Sequence, residues 1–116
     1  MIEQSNMFAV SDQDFAERVL ASAVPVIVEF GAEWCPPCRA LEPVYAKLSH
    51  EYSGKLRFAQ MDTDDDPMTQ IQLGIQGIPT LVIFKDGKEL GRMVGPHPTR
   101  LKLNIERILA ENGIAV

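Results

Sequence analysis

The sequence Trp34-Cys35-Pro36-Pro37-Cys38-Arg39 contains the two cysteines of this chain, three positions apart and just after an apolar segment. Because residues three apart lie one above the other on a helix, two thiols with this spacing can meet and close a small disulfide ring. A ring closed by so short a loop constrains the unfolded chain little, so a purely structural bridge explains the pair poorly. The spacing therefore predicts reversible dithiol–disulfide chemistry.

The cysteine pair stands where a long helix is predicted to begin, and that helix is expected to run to about Tyr52. The unpaired N–H groups and the dipole of a helix N-terminus favour a negative charge and hence the thiolate of Cys35. We expect Cys35 at the exposed rim as the nucleophile, with Cys38 one turn deeper as the thiol that resolves the mixed disulfide. Pro36 and Pro37 are expected to stiffen the turn and tune the redox pair, with helical geometry beginning at Pro37.

Apolar patterns along the chain alternate between strand and helix periods with short connections, which predicts one domain over residues 1–116. Strands are predicted at 7–10, 26–30, 56–61, 80–84 and 89–94, with helices starting near 11, at 35, after 67 and after 98. Val26–Phe30 is apolar enough for a strand covered on both faces. Asp86-Gly87 predicts a hairpin, and Gly113 a helix stop. The order predicts an α/β, three-layer fold whose central mixed sheet is flanked by helices.

The charge and apolar patterning exclude several classes of function. Eleven basic and sixteen acidic residues give a net charge of −5, and no basic patch carries interleaved aromatics, so nucleic-acid binding is not expected. The longest apolar stretch, Ala23–Val28, is too short to span a bilayer. The N-terminus, Met1–Asn6, lacks the layout of a secretory signal, which favours a cytoplasmic protein without membrane association.

In a reducing compartment a C-x-x-C pair indicates either catalysis or a metal site. A tetrahedral zinc site would need two further ligands. His50 and His97 show no ligand spacing, so no metal site is expected. The acidic run 62–66 lacks the glycine and distal glutamate of a calcium loop. It is expected to be a solvated loop that caps the helix after Pro67.

Glu29 is the one carboxylate within the apolar strand 26–30. If the strand is covered on both faces, burial disfavours the charged form and raises the pKa of this group. Glu29 could then take the proton of Cys38 during the resolving step. The alternative is a glutamate at a strand edge that reaches solvent.

The stretch Glu33–Arg39, Pro43, the segment Gly77-Ile78-Pro79-Thr80 and the Gly87 hairpin stand in the order and spacing of the thioredoxin family. The chain resembles this family over nearly its whole length. The resemblance implies a thioredoxin-like fold and a protein-disulfide reductase that acts through the Cys35–Cys38 redox pair. It implies no bound cofactor, because electrons travel through this disulfide. The implied partners are disulfide-containing substrate proteins and a thioredoxin-reductase-type electron donor, and the expected form is a monomer.

The resemblance also implies roles for residues around the pair. Pro79 is expected to be a cis-proline whose loop lies against the cysteines. The backbone of Ile78 would pair with an extended segment of the substrate. Trp34 and Gly95 would border a shallow apolar surface around Cys35, although a large aromatic such as Trp34 can also be part of a core.

Three positions depart from the family pattern, and all lie near the predicted site. Glu29 stands where the family has a buried aspartate, and Gln60 where many members carry a lysine. Without that positive charge, little would lower the pKa of Glu29 again. Gly31 stands where an aromatic residue is common, which is expected to loosen packing near the cysteines.

Two other interpretations remain open at this point. A thioredoxin-like module could hold or scaffold a partner, with a regulatory dithiol. A dithiol oxidase or isomerase of the same superfamily would run the chemistry in the other direction.

Overall fold

A computed structural model describes residues 6–115, so the two ends of the expected domain lie outside the described residues. Five strands form one sheet: β1 (Met7–Ala9), β2 (Val26–Gly31), β3 (Arg57–Asp62), β4 (Thr80–Lys85) and β5 (Lys88–Val94). Three α-helices accompany them: α1 (Pro36–Glu51), α2 (Pro67–Gln72) and α3 (Leu101–Glu111). The predicted order of elements is confirmed, except that a π-helical turn (Ala16–Leu20) stands in the place of the first predicted helix.

The sheet has the strand order β1-β3-β2-β4-β5 and is mixed. The β2 strand runs parallel to β3 and antiparallel to β4, and β5 returns antiparallel to β4. The last turn of the sheet is made by Asp86 and Gly87, both with positive φ, as a two-residue hairpin of this composition requires. β2 therefore lies at the centre of the sheet, and all six of its residues are buried.

Strand alternation separates the core into two clusters on opposite faces of the sheet. Ile27 belongs to the cluster that α1 and α3 cover, and its neighbours Val26 and Val28 belong to the cluster with Phe15 and Val19. Glu29 and Gly31 are two and four residues after Ile27 in the same strand, so they lie on the same face of the sheet, which α1 covers. This three-layer α/β arrangement confirms the predicted fold class, and it points Glu29 towards the helix that carries the cysteines.

Helix α1 buries one face against the sheet, and the predicted set is confirmed. Its buried apolar residues, with the residue that follows the helix, are Cys38, Leu41, Tyr45, Leu48 and Tyr52. Helix α3 ends at a glycine, as predicted: Gly113 has φ 73°, and its N–H donates to Ala110 O at 3.0 Å. The N–H of Ile114 donates to Leu109 O at 2.9 Å, which completes a Schellman motif.

Two local expectations were wrong. The segment after β1 was expected to be an ordinary helix, but Ala16–Leu20 is a π-helical turn in which the Ala21 N–H donates to Ala16 O. The acidic run was expected to cap α2, but Asp66 makes no side-chain cap bond at this helix.

The cap of α2 comes instead from Asp12, far away in the sequence. Its carboxylate accepts the N–H groups of Met68 at 3.0 Å and Thr69 at 2.8 Å, and the Thr69 hydroxyl at 2.7 Å. These hydrogen bonds lower the pKa of Asp12, although partial desolvation works against them.

No helix within residues 6–115 is long and apolar enough to cross a membrane.

Candidate active site

The cysteine pair lies at the N-terminus of α1 and is joined as a disulfide. Cys35 is the N-cap residue, with extended backbone angles, and its Sγ accepts the N–H of Cys38 at 3.3 Å. The Arg39 N–H donates to Cys35 O at 3.1 Å and closes the first turn. Helical geometry therefore begins at Pro36, one residue before the position predicted. Both prolines occupy the first turn, where a missing N–H leaves no intrahelical bond unmade.

The predicted exposure of the nucleophile was wrong. Cys35 is 3% exposed and Cys38 5%, so neither sulfur stands at an open rim. The two cysteines pack with Ala32, and Ile78 covers the same cluster from the neighbouring loop. In the disulfide form, access to Cys35 is therefore controlled by the residues that border it.

The loop before β4 lies against the pair. The Ile78–Pro79 peptide bond is cis, as predicted, and the Ile78 carbonyl oxygen lies 3.9 Å from Cys35 Sγ. The Gly95 N–H donates to Pro79 O at 2.8 Å, and the Thr80 hydroxyl donates to Gly77 O at 2.6 Å. These bonds hold the backbone of Ile78 beside the disulfide, so the structure brings Ile78, Pro79 and Gly95 to one edge of the site.

Trp34 lies on the surface next to Cys35 and is 66% exposed, so the core alternative is wrong. Its indole N–H donates to Asp64 Oδ2 at 2.6 Å. Asp64 belongs to the acidic loop 62–66. The N–H of Asp64 donates to Asp62 Oδ1 at 2.8 Å and so stabilises the turn of this loop. The sequence did not indicate this partner, because the two residues are thirty positions apart.

Glu29 is buried beneath the pair, 4% exposed, so the solvent-reaching alternative is wrong. Burial raises its pKa to about 7, and the nearby negative charge of Glu42 contributes in the same direction. Gln60 faces Glu29 across the β2–β3 ladder and donates its amide N–H to Glu29 Oε1 at 3.1 Å, which lowers the pKa in part. The group can therefore exchange a proton near neutral pH.

Gly31 lies close against the second cysteine, at the edge of a cleft. A Cβ at this position would lie 3.1 Å from Cys38 Sγ and 3.7 Å from Glu29 Oε2. A cleft of about 710 Å³ opens here, and Gly31, Glu29, Cys38 and Gln60 are among its lining residues. The cleft lies beside Gly31, whereas the contact between Gly31 and Cys38 is itself close, so the expectation of looser packing at this glycine is not confirmed.

Known proteins resemble the chain over most of its length. The thioredoxin family model matches residues 6–107. The chain is 46% identical over 101 residues to thioredoxin of Synechocystis sp., which covers 86% of this chain and 94% of that protein. It is 43% identical over 101 residues to thioredoxin 1 of Nostoc sp., with the same two shares. It is 41% identical over 103 residues to chloroplastic thioredoxin M4 of Arabidopsis thaliana, covering 88% of this chain and 53% of that protein. The chain belongs to the thioredoxin family.

Proposed function

We propose that this thiol–disulfide oxidoreductase is a protein-disulfide reductase in which Cys35 attacks the substrate and Cys38 resolves the intermediate. The observation that carries the proposal is the Cys35–Cys38 disulfide at the N-terminus of α1, packed against the cis Ile78–Pro79 loop. A helix N-terminus favours the thiolate, which is the reactive form of cysteine. The Cys38 N–H, 3.3 Å from Cys35 Sγ, supplies a donor to that thiolate.

The reaction is two successive exchanges. The Cys35 thiolate attacks one sulfur of the substrate disulfide, forms a mixed disulfide and expels the other substrate sulfur as a thiolate. Cys38 then attacks Cys35 Sγ, breaks the mixed disulfide and releases the second substrate thiol. Two electrons pass to the substrate, and the pair ends as the Cys35–Cys38 disulfide that the structure contains.

Glu29 is proposed as the group that takes the Cys38 proton before the second exchange. Support comes from its position on the α1 face of β2 and from a pKa raised by burial to about 7. A carboxylate with that pKa is half ionised near neutral pH, where a base of matched strength works best. Its Oε2 and Cys38 Sγ lie 3.7 Å and 3.1 Å from the position that a Cβ at Gly31 would take. Proton transfer through a water molecule fits this arrangement.

The surface formed by Trp34, Ile78, Pro79 and Gly95 is proposed as the substrate-docking edge. The exposed Trp34 offers an apolar ring, and the Ile78 backbone lies beside Cys35 in an extended loop. An extended peptide that pairs with this backbone would bring its disulfide to Cys35. Pro36 and Pro37 are proposed to tune the redox pair by stiffening the first turn of α1.

The partners and setting follow from the same chemistry. We propose disulfide-containing proteins as substrates and a thioredoxin-reductase-type donor that returns two electrons to the pair. We also propose a monomer with one domain over residues 1–116, no bound cofactor beyond the disulfide, and a cytoplasmic location. A C-x-x-C pair that must be reduced again after each turnover suits a reducing compartment. The Arabidopsis relative, thioredoxin M4, is chloroplastic.

The test is reduction of a disulfide-bonded protein such as insulin, with dithiothreitol as the electron source. The wild type is expected to accelerate reduction, Cys35→Ser to lose the activity, and Cys38→Ser to accumulate a mixed disulfide on Cys35. The redox equilibrium of the Cys35–Cys38 pair against glutathione shows whether the protein reduces or oxidises its substrates. A strongly oxidising pair would contradict the reductase and favour an oxidase or isomerase. A pair that never cycles would favour the scaffold module.

A further inference from the structure

The side chain of Tyr45 fills the core between α1 and the sheet, and it carries a hydroxyl group into that core. Tyr45 is fully buried, and its ring packs edge-on against Phe58 with 4.9 Å between the ring centroids. The hydroxyl contacts Ile27 O at 3.0 Å and Ala59 O at 2.7 Å. A phenylalanine would make the same apolar contacts, and burying a hydroxyl is unfavourable unless it is hydrogen-bonded. Packing alone therefore does not account for the hydroxyl.

The two carbonyl groups belong to the two central strands, next to the buried acid of the site. Ile27 lies two residues before Glu29 in β2. Ala59 lies one residue before Gln60 in β3, and Gln60 is the ladder partner that donates to Glu29 Oε1 at 3.1 Å. A hydroxyl has one hydrogen, so Tyr45 donates to either carbonyl or shares the hydrogen between the two. Either way, α1 is joined to both strands just before the Glu29–Gln60 pair.

On the helix, Tyr45 lies on the same buried face as the resolving cysteine. Cys38 precedes it by seven residues, which is about two turns, and both side chains are buried. Pro43 stands between them and has no N–H to donate to Arg39 O, so one intrahelical bond is missing from this stretch. The hydroxyl of Tyr45 contacts the sheet two residues after the proline. This contact limits how far the start of α1 shifts or tilts over β2.

Tyr45 and Glu29 are close enough for their charges to interact. Burial raises the pKa of Tyr45 well above its usual value, and the negative charge of Glu29 acts in the same direction. Tyr45 therefore stays a neutral donor over the pH range in which Glu29 titrates. The partner of Glu29 in β4 is the apolar Leu81, and the other charged side chains that line the cleft with Glu29 are those of Glu33, Arg39, Glu42 and Asp62. Removing the hydroxyl alters none of these charges.

We propose that Tyr45 is a positioning residue of the resolving step, because its hydroxyl joins α1 to β2 and β3 and so keeps Cys38 within reach of Glu29. The proposal rests on the redox roles proposed above for Cys38 and Glu29. In that step the proton of Cys38 passes to the Glu29 carboxylate and Cys38 Sγ bonds to Cys35 Sγ. The substrate sulfur leaves as a thiolate with the electron pair of the broken bond. Proton transfer needs hydrogen-bond reach, directly or through one water, so a small shift of α1 slows this step.

The experiment follows the two exchanges separately in single turnovers. Reduced protein is mixed with a chromogenic aryl disulfide, at concentrations that make the first exchange the faster one. One coloured thiolate is released when Cys35 attacks, the first phase, and another when Cys38 resolves, the second phase. Tyr45→Phe keeps the ring against Phe58 and removes only the hydroxyl. We expect the second phase to slow about fivefold at pH 7 and the first phase to stay within about 1.5-fold, because Cys35 does not use Glu29.

The pH profile of the second phase separates a role in placement from a general loosening of the fold. In the wild type this phase should rise with pH as Glu29 loses its proton, and level off above the pKa of Glu29, about 7. In Tyr45→Phe it should keep rising towards the ordinary cysteine pKa of about 8.5, because Cys38 then loses its proton to solvent. A second phase with unchanged rate and unchanged pH profile would overturn the proposal.

Tyr52→Phe is the matched control at the other end of the same helix. Tyr52 stacks on the same Phe58 ring, with centroids 6.2 Å apart, and donates its hydroxyl to Glu106 Oε2 at 2.8 Å. This bond runs to α3 and not to the sheet, so its removal should leave both phases within about 1.5-fold. If Tyr52→Phe slows the second phase as much as Tyr45→Phe does, the effect is a general loss of stability and the proposal is wrong.

A double variant tests whether Tyr45 acts through Glu29. In Glu29→Gln the second phase has already lost its proton acceptor, so adding Tyr45→Phe should slow it by less than about twofold further. A further loss of about fivefold would contradict the proposal, because the hydroxyl would then act independently of Glu29. Circular dichroism and an unchanged first phase verify that each variant folds. Insulin reduction by the wild type is measured in parallel: its absence would contradict the proposed function, whereas the second-phase rates alone decide the role of Tyr45.

Discussion

Two glycines on the sheet have close neighbours for opposite reasons. Gly91 in β5 lies under α3, where an added Cβ would meet three side-chain carbons of Ile108 at 3.0 to 3.2 Å. Gly31 at the end of β2 lies under α1, where the close atom is the sulfur of Cys38 at 3.1 Å and a cleft opens beside it. At Gly91 the missing side chain lets a helix pack closely on the sheet. At Gly31 it lets the sulfur of Cys38 and the carboxyl of Glu29 lie close to the end of β2.

The contrast shows how one residue type can lie against an apolar side chain in one place and against a redox pair in another. Around Gly91 the neighbours are apolar and buried, so the expected effects are on stability alone. Around Gly31 the neighbours are a buried acid and a disulfide beside a cleft, so stability and chemistry change together.

The largest expected effect is the pH dependence of the free energy of unfolding that Glu29 causes. Glu29 lies near Gly31, so no such dependence is expected from the Gly91 region. The pKa of Glu29 is raised from 4.5 to about 7 in the fold. At pH values between these two pKa values, Glu29 is ionised in the unfolded chain and protonated in the folded protein. The free energy of unfolding therefore falls as pH rises. The fall amounts to about 3 kcal/mol by pH 8. Glu29→Gln should abolish it, and urea unfolding of both proteins from pH 4 to pH 8 measures the difference.

The same variant should slow disulfide reduction near neutral pH, because the amide cannot accept the proton of Cys38. An unchanged rate would contradict the proton-acceptor role. An unfolding free energy of the wild type that stays flat from pH 5 to pH 8 would contradict the raised pKa of Glu29.

The next effect is expected on the packed side of the comparison. Gly91→Ala should destabilise the protein by about 1–2 kcal/mol, because Ile108 and α3 must move to admit a methyl group. Exchange rates at the cysteines should be unchanged in the folded variant. The measurement is the free energy of unfolding in urea, with Ile108→Val added to Gly91→Ala as the control. If Ile108→Val does not recover part of the free energy of unfolding lost in Gly91→Ala, the close contact with Ile108 is not the cause of that loss.

A smaller effect is expected from restoring a positive charge beside Glu29. Gln60→Lys replaces the amide donor, and an adjacent ammonium should lower the pKa of Glu29 by about one unit, worth about 1.4 kcal/mol. The pH range in which stability falls should move down accordingly. The carboxyl resonance of Glu29 followed by NMR measures the shift, and Gln60→Met, which removes the donor without adding charge, should move the pKa up instead.

The smallest stability effect is expected at Gly31 itself. Gly31→Ala should change the free energy of unfolding by no more than about 0.5 kcal/mol, since the lower entropy of the unfolded chain offsets one close sulfur contact. The comparison with Gly91→Ala in the same urea assay is direct. Equal losses at the two glycines would show that the Gly31 region is as closely packed as the Gly91 region.

The sequence predicted the features that depend on local periodicity and on chemistry within a few residues. The buried face of α1, the hairpin at Asp86-Gly87 and the glycine stop of α3 all follow from residue type and spacing. The burial of Glu29 followed from the apolar residues on both sides of it. These signals are read within one element, so no tertiary information was needed.

The wrong expectations for Cys35 and for the cap of α2 involve contacts between distant segments. Cys35 was expected at an open rim, but Ile78 from a loop more than forty positions later covers the pair. The cap of α2 comes from Asp12, and the partner of the Trp34 indole is Asp64. Nothing in the spacing of one segment indicates which distant side chain will reach it. The cleft at Gly31 depends in the same way on what β1 and β3 place around it.

The cap that Asp12 provides has a consequence for recombining members of this family. The loop that precedes the π-helical turn carries the acceptor for the N-terminus of α2. The two segments therefore form one module, although β2, α1 and β3 separate them in the sequence. A chimera that takes its first twenty residues from another family member keeps this cap only under one condition. The residue at position 12 of that member must have a short side chain that accepts hydrogen bonds. Crossover points between these segments should therefore be chosen with Asp12 and Thr69 inherited together.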